Sequence, residues 1–367
     1  MLKFKLPVII KRIRKSSPHP QKGLRLNRAE FGHDFSNKNK RNFFDQYYPD
    51  TTSLIDKIAK FHKIKNENLN IGLGAESFIK DIFIWHSRKF KKKRVGFSLP
   101  NFFMYTLNAK IYDYKIFNYL INPARINLLN LSYIKNFLEK NKINLFIIVN
   151  PSHPFEKNWN LMELGKIMQF CKRKGITVLL DEVYQGLGSE SAYKLIQKYT
   201  NLIILRSFSK AFGLPGIRVG YTIASAKISQ EIETYRLAIE LPQYSINEVI
   251  KLLDGNKKFL YNTSKQIINS RKYAHKQFKI RGLNSHNFFL NSVNVDLINK
   301  NNALKIGNYL KKNNIFINYK YPEPHSHFIN LTTTNISNLK FFFKKFDKIS
   351  DKIIDSYNKK FRSNRKI

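Results

Sequence analysis

Residues 202–220 read LIILRSFSKAFGLPGIRVG and hold the most informative pattern in the chain. The segment begins as a short continuous apolar run, which is typical of a strand buried on both faces. Lys210 follows among small residues, with Ser207 and Ser209 before it and Arg218 after it. Lysine forms covalent bonds with aldehyde cofactors, while serine hydroxyls and arginine bind phosphate. The segment therefore indicates a site for a phosphorylated aldehyde cofactor at the end of a buried strand.

Strands and helices alternate on both sides of this segment. Strands are predicted near 68–74, 94–98, 111–119, 145–149, 177–180, 202–205 and 219–223. Helices are predicted from near Thr51, after residue 74, and over 101–109, 131–140, 161–174 and 193–199. Alternation of this kind predicts an α/β fold with a mostly parallel sheet of the seven-stranded type and helices on both faces.

The order of predicted strands and helices changes after about residue 255. A long helix (257–280), strands near 286–297, 315–319 and 327–332, and helices over 302–313 and 337–347 are expected there. This order predicts a smaller α+β domain. The expected organisation is an N-terminal arm (1–45), a large cofactor-binding domain (46–255), a small C-terminal domain (256–350) and a basic tail (351–367).

Polar residues follow two other apolar strands of the predicted sheet. Asn150 comes after the run 145–149, and Asp181 and Tyr184 come after 177–180. Ligands of doubly wound sheets bind beyond the carboxyl ends of the strands. A carboxylate such as Asp181 can pair with a pyridinium nitrogen and keep a cofactor ring electron-withdrawing.

Composition limits the alternatives. The formal net charge of +40 would suit a nucleic-acid-binding protein. However, the basic residues are spread along the chain, and no stretch alternates basic with aromatic residues as a strand-binding groove would. The single cysteine, Cys171, fits an apolar helix face and no Cys/His metal-ligand spacing, so no metal is expected. No apolar run is long enough for a membrane span, and the apolar stretch 6–10 is too short for a signal peptide. A cytoplasmic protein with no nucleic-acid or membrane partner is therefore expected.

Several motifs now carry a resemblance to a known family. They are SFSKAFGLPGIRVGY (207–221), DEVY (181–184), the pair Asn150-Pro151, YYPD (47–50) and LPNFFMY (99–105). In this order and spacing they resemble the class I and II aminotransferases, and among them the histidinol-phosphate aminotransferases. The similarity runs from about Leu24 to about Thr334. It implies the aminotransferase fold, pyridoxal 5'-phosphate as cofactor and a homodimer with a shared active site.

The resemblance also implies a role for each matching residue. Lys210 would carry the cofactor, Asp181 would pair with the pyridine nitrogen, and Phe102 would stack on the ring. Asn150 and Tyr184 would bond the ring hydroxyl. The phosphate would be held by Ser207, Ser209, Arg218 and the backbone amides of Gly74, Ala75 and Glu76, and by Tyr48 of the other subunit.

The chain departs from the family at three places. Residues 150–156 read NPSHPFE where the family has Asn-Pro-Asn-Asn-Pro-Thr-Gly, and 72–77 read GLGAES where it has Gly-Asn-Gly-Ser-Asp-Glu. Phe328 stands where the family has an arginine that clamps a substrate anion. Phenylalanine cannot replace a bidentate arginine, so either His325 or His327 substitutes weakly, or both are structural.

The expected reaction is transfer of an amino group between a small-molecule amino donor and a keto or aldehyde acceptor, with Lys210 acting as general base and acid. A decarboxylase resembling threonine-phosphate decarboxylase would use the same cofactor residues. A basic nucleic-acid-binding protein on an inactive enzyme fold is the alternative from another class.

Overall fold

A computed structural model describes residues 24–25, 49–237, 240–255 and 257–363. The strands are β1 (Leu24–Arg25), β2 (Leu69–Leu73), β3 (Arg94–Leu99), β4 (Lys115–Leu120), β5 (Leu145–Val149), β6 (Thr177–Asp181), β7 (Leu202–Ser207), β8 (Val219–Ala224), β9 (Ser285–His286), β10 (Ser292–Asp296), β11 (Ile315–Phe316) and β12 (Phe328–Thr332). The α-helices are α1 (Thr52–His62), α2 (Gly74–Lys89), α3 (Phe103–Ile111), α4 (Leu131–Lys140), α5 (Leu161–Arg173), α6 (Ala226–Glu233), α7 (Gln243–Gly255), α8 (Lys257–Ile280), α9 (Lys300–Lys312) and α10 (Ile336–Ser363). Most of the strands and helices predicted from the sequence are among them.

Seven strands form one sheet in the order β2-β8-β7-β6-β5-β3-β4. The strands from β7 to β4 run parallel, and β8 runs antiparallel to both of its neighbours. The connection from β7 to β8 contains no crossover helix, so the chain turns back and β8 is reversed. This connection is the Lys210 segment. The predicted α/β fold with a mostly parallel seven-stranded sheet is confirmed.

Alternate residues of the central strands pack against helices on opposite faces of the sheet. In β5, Phe146 and Ile148 join the core that includes α4 and α5, whereas Leu145 and Ile147 join the core that includes α2, α3 and α6. All four side chains are almost fully buried. A parallel strand covered on both faces must be apolar at every position, which explains the continuous run LFIIV.

The C-terminal part of the chain has its own antiparallel sheet, in the order β12-β10-β9. Helices α8, α9 and α10 pack with this sheet around a third core. Strand β11 pairs with β1 in a separate parallel ladder. The domain boundaries expected from the sequence stay a prediction, and most of the predicted N-terminal arm lies outside the described residues.

The structure corrects the sequence analysis at three elements. Helices α6 and α7 were not predicted, although α7 places Ile246, Val249, Ile250 and Leu253 at helical spacing. The helix expected to end at residue 347 runs to Ser363, and no glycine or proline in that stretch stops it. Within the described residues, no helix is long and apolar enough to cross a membrane.

Candidate active site

The carboxyl ends of β5, β6 and β7 bring the predicted site residues to one edge of the sheet. Val149 pairs with Asp181, and Asp181 pairs with Leu205. The chain leaves these strands through Asn150, Glu182 and the Lys210 segment. The edge therefore gathers residues from three separate stretches of sequence.

Asp181 ends β6 with its side chain buried, at 4% exposure. The hydroxyl of Tyr105 and the backbone N–H of Val183 donate hydrogen bonds to its carboxylate. Burial raises the pKa of Asp181 to about 6, while those two hydrogen bonds and the charge of Lys210 oppose that rise. A cation brought next to Asp181 would favour its charged form. Tyr105 was not predicted as a site residue, although its place one turn after Phe102 was a usable signal.

Tyr184 lies close to Asp181 and is buried at 5% exposure. Burial raises the pKa of its hydroxyl, and the charge of Asp181 adds to the rise. Its ring is stacked on the imidazole of His153, with centroids 5.1 Å apart and an interplanar angle of 18°. His153 was not predicted as a site residue either, although it is one of the departures from the family's loop.

Lys210 is half-buried and lies near both His153 and Asp181. Its positive charge lowers the pKa of each of these neighbours. The lysine segment, the end of β6 and the loop after β5 therefore share one electrostatic environment.

Asn150 is buried and both ends of its side-chain amide bond the backbone of Trp159. Its Nδ2 donates to the Trp159 carbonyl at 3.0 Å, and its Oδ1 accepts from the Trp159 N–H at 2.7 Å. These bonds close the loop 150–159. The predicted bond from Asn150 to a cofactor hydroxyl stays a prediction, and it would use the second hydrogen of the amide.

The predicted phosphate-binding groups lie around the N-terminus of α2. A Cβ built on Gly74, which has φ +67°, would lie 2.8 Å from a guanidinium nitrogen of Arg218. A Cβ on Gly220 would lie 2.4 Å from the Gly74 carbonyl carbon. Gly74 therefore allows the close approach of Arg218 to the helix terminus, and Gly220 allows the close packing of β8 against the start of α2. Backbone amides at a helix N-terminus favour anions, and Gly74, Ala75 and Glu76 form that terminus.

Ser207 and Ser209 lie at the other side of this region, with their hydroxyl oxygens 2.9 Å apart. The backbone N–H of Ser209 also donates to the Ser207 hydroxyl at 3.1 Å. Phe102, just before α3, has 43% of its surface exposed and contacts the rings of Phe103 and Tyr105 edge-on. Tyr48 lies outside the described residues, so its predicted role is not tested.

A buried ion pair supports the turn after β6. Arg206 contacts the Glu182 carboxylate at 2.7 Å, and both side chains are almost fully buried. Glu182 also accepts hydrogen bonds from the Ser191 hydroxyl and the Ala192 N–H. This ion pair was not predicted, because nothing in the spacing of residues 182 and 206 marks them as partners.

The residues near the expected anion clamp form an aromatic cluster. Phe328 is buried at 4% exposure and contacts Phe155 edge-on, with centroids 5.0 Å apart. His325 also stacks on Phe155, with ring centroids 4.1 Å apart, and its Nε2 lies 2.7 Å from the Ile121 carbonyl. Burial lowers the pKa of His325, so its imidazole is neutral at neutral pH. His327 lies 3.9 Å from the Asp296 carboxylate.

These contacts bear on whether His325 or His327 replaces the family's anion-binding arginine. The Nε2 of His325 is already bonded to the Ile121 carbonyl, which supports a structural role for this residue and leaves its role at the clamp a prediction. The described residues contain no group of three or more His, Cys, Asp or Glu side chains that could hold a metal ion.

Comparisons with known proteins agree with this geometry. The family model for aminotransferase class I and II matches residues 27–295. The histidinol-phosphate aminotransferase of Ruminiclostridium cellulolyticum is 29% identical over 287 residues, which cover 74% of each chain. That of Pyrococcus furiosus is 31% identical over 245 residues, covering 63% of this chain and 65% of the relative.

Solved structures show the same fold. The histidinol-phosphate aminotransferase of Sinorhizobium meliloti, in complex with pyridoxal-5'-phosphate, superposes with a TM-score of 0.77 at 19% identity and covers 91% of both chains. The L-threonine-O-3-phosphate decarboxylase of Porphyromonas gingivalis has a TM-score of 0.72 at 18% identity, covering 89% of this chain and 99% of that one.

Proposed function

This chain belongs to the class I and II aminotransferases, and from this premise we propose that it uses pyridoxal 5'-phosphate to transfer an amino group between an amino acid and a keto or aldehyde acceptor. The observation that carries the proposal is the buried Asp181 carboxylate beside Lys210 at the carboxyl edge of the sheet. A carboxylate and a lysine in one enclosed site are what a pyridine ring with an aldehyde substituent requires.

The donor set fits the phosphate of this cofactor. The guanidinium of Arg218 lies against the N-terminus of α2, because Gly74 has no side chain to block it. Ser207 and Ser209 add hydroxyl donors. A dianionic phosphate accepts charge-assisted hydrogen bonds from a guanidinium and is stabilised by backbone amides at a helix terminus. We therefore assign phosphate binding to these groups.

The rest of the site fits the ring. Asp181 is buried and already accepts bonds from Tyr105 and Val183, so its orientation is fixed before the cofactor binds. Its charge would hold a proton on the pyridine nitrogen, and the bound cofactor then supplies an electron sink. Phe102 presents an exposed aromatic face at the start of α3 and would stack on the ring.

Lys210 would move the proton of the reaction. The Lys210 amine would hold the cofactor covalently, and once released from that bond its Nζ would accept a proton from the bound substrate and return it. Its position between His153 and Asp181 keeps it within the enclosed site.

We expect an altered substrate specificity relative to the histidinol-phosphate aminotransferases. Phe328 and Phe155 fill the space where a substrate anion would need a cation, and His325 is bonded to Ile121. An unpaired anion in such an environment forfeits a pair of charge-assisted hydrogen bonds, worth about 3 kcal/mol or more. A neutral or cationic substrate, or one bound by cations elsewhere in the site, fits better.

A homodimer with a shared active site is also proposed. Phe103, next to Phe102, exposes 64% of its surface, and a second copy would cover this apolar area. The predicted contact from Tyr48 of the partner subunit would complete the phosphate site. Cytoplasmic localisation stays a prediction.

The proposal is tested on the purified full-length chain mixed with pyridoxal 5'-phosphate. We expect a visible absorption band from the lysine-bound cofactor, and loss of that band when a suitable amino donor is added. Keto-acid product without carbon dioxide supports transamination, whereas carbon dioxide release supports the decarboxylase alternative. A chain that forms no covalent link to the cofactor would contradict the proposal.

A further inference from the structure

His153 occupies a fixed position in the loop that follows β5. Ser152 holds the loop from one side, because its hydroxyl donates to the Phe155 carbonyl and accepts from the Lys157 N–H, both at 2.6 Å. The Pro154 carbonyl accepts hydrogen bonds from Asn287 at 2.9 Å and from Asn294 at 2.6 Å. The residues on both sides of His153 are therefore anchored, and the imidazole has little freedom to leave its place.

The imidazole of His153 lies next to Tyr184 and Lys210. It stacks nearly parallel on the Tyr184 ring, at 5.1 Å between centroids. Lys210 is the charged group that acts on it most strongly. No hydrogen bond joins either ring nitrogen of His153 to another described residue. His153 is half-buried, and its ring nitrogens are therefore available to a polar group of a ligand.

The protonation state of His153 determines which kind of ligand group its imidazole can bind. Burial lowers the pKa of His153 to about 3, and the charge of Lys210 contributes to the lowering. The titratable groups that face it are Lys210 from the β7–β8 connection and Tyr184 from the turn after β6. A neutral imidazole offers one N–H donor and one acceptor. It can therefore donate to an anionic oxygen next to Lys210.

The cofactor has one such oxygen. Its aldehyde carbon, which would bond Lys210, and its ring hydroxyl are on neighbouring ring atoms. The nitrogen and the phosphate are assigned to Asp181 and to Arg218, so the ring hydroxyl is the polar group left for the region of His153 and Tyr184. Asn150, the residue that the resemblance offered for this role, already bonds the Trp159 backbone through both ends of its amide.

We propose that His153 donates a ring N–H hydrogen bond to the ring hydroxyl oxygen of the bound cofactor, and that it shares this oxygen with Tyr184. The inference rests on the proposed function. It adds His153 as a binding residue, at the position where the family's loop Asn-Pro-Asn-Asn-Pro-Thr-Gly has its last asparagine. A hydrogen bond to the anionic oxygen stabilises the ionised form of the cofactor and strengthens its binding.

Two matched variants test the proposal. His153→Phe keeps a ring to stack on Tyr184 but removes the N–H, whereas His153→Asn keeps a donor and loses the ring. The measurements are the dissociation constant for pyridoxal 5'-phosphate and the pH titration of the absorption band of the lysine-bound cofactor. His327→Asn, at a histidine paired with Asp296 in the C-terminal part of the chain, is the control.

We expect His153→Phe to bind the cofactor about tenfold more weakly and to shift the titration by about one pH unit, the effect of losing one charge-assisted hydrogen bond. His153→Asn should lie closer to the parent protein in both measurements, and the control should match the parent. A His153→Phe variant with the parent's affinity and titration overturns the proposal. If His153→Phe does not fold, the comparison is between His153→Asn and Tyr184→Phe. A pH titration of the absorption band that shifts from the parent's as far in His153→Asn as in Tyr184→Phe overturns the proposal. A parent chain that never forms the band instead contradicts the proposed function.

Discussion

The Tyr105 hydroxyl donates a hydrogen bond to the Asp181 carboxylate, and both groups are buried beneath the site. The bond links α3 to the end of β6, two elements far apart in the sequence. It stabilises the charged form of a carboxylate that burial destabilises. Tyr105 therefore helps to keep Asp181 ionised at the pH at which the site must hold a protonated ring nitrogen.

The first prediction concerns this bond. Tyr105→Phe should raise the pKa of Asp181 further above its present value of about 6, because one of two hydrogen bonds to the carboxylate is lost. Cofactor affinity should fall about tenfold near pH 7 and recover as the pH is raised. Binding titrations between about pH 6 and pH 9 check this expectation. An affinity that stays at the parent's level throughout this range would contradict it.

A second prediction concerns the charge of Asp181 itself. A carboxyl group with a pKa raised by folding stabilises the folded state when protonated, and this contribution is lost as the pH rises through its folded pKa, about 6. Asp181→Asn removes the buried charge. Without cofactor, the variant should unfold at a higher temperature than the parent at about pH 8, with the difference vanishing near pH 4. The variant should still bind the cofactor but be nearly inactive. Turnover within a few-fold of the parent would refute the role of Asp181.

A third prediction concerns Lys210. Lys210→Ala should abolish both turnover and the absorption band of the lysine-bound cofactor, because no other amine is assigned to that bond. Lys194→Ala, at an exposed lysine on the surface, is the matched control and should behave as the parent does. Borohydride trapping followed by mass spectrometry shows which residue carries the cofactor. Trapped cofactor in Lys210→Ala would mean that the assignment is wrong.

A fourth prediction concerns the phosphate site. Arg218→Ala removes the guanidinium, and Gly74→Ala both displaces it and places a side chain at φ +67°. Each variant should bind pyridoxal 5'-phosphate at least tenfold more weakly, because a charge-assisted contact to the phosphate is lost. Binding of pyridoxal, which has no phosphate, is the control and should change little. An equal loss for both compounds would place the phosphate elsewhere.

The last prediction concerns the substrate. Because the resemblance aligns Phe328 with the family's anion-clamping arginine, and Phe328 packs against Phe155, histidinol phosphate and simple dicarboxylates should be poor substrates, with high KM values. Neutral and cationic amines of similar size should be better. Steady-state kinetics over such a panel decides the question. Efficient turnover of histidinol phosphate with a KM in the micromolar range would refute the expectation.

Much of the fold followed from local patterns. The run 145–149 predicted β5, and the segment 202–220 predicted β7 and the lysine connection. Helices α6 and α7 were missed although the apolar residues of α7 recur at helical spacing, and α10 was predicted too short although no glycine or proline stops it. The reversed direction of β8 likewise required the structure, since spacing alone does not state how a strand pairs.

The candidate site divides in the same way. The sequence by itself determined the fold class and the cofactor, and it predicted the site residues that belong to contiguous motifs, because such motifs keep their spacing along the chain. The tertiary structure alone decided that Tyr105 bonds Asp181, that Arg206 pairs with Glu182, and that His325 is bonded to Ile121. It also decided that His153 lies near Lys210, and that Asn150 is bonded to the Trp159 backbone. Each of these contacts depends on how separate elements pack across the sheet edge, and the geometry of that packing is set by the whole core.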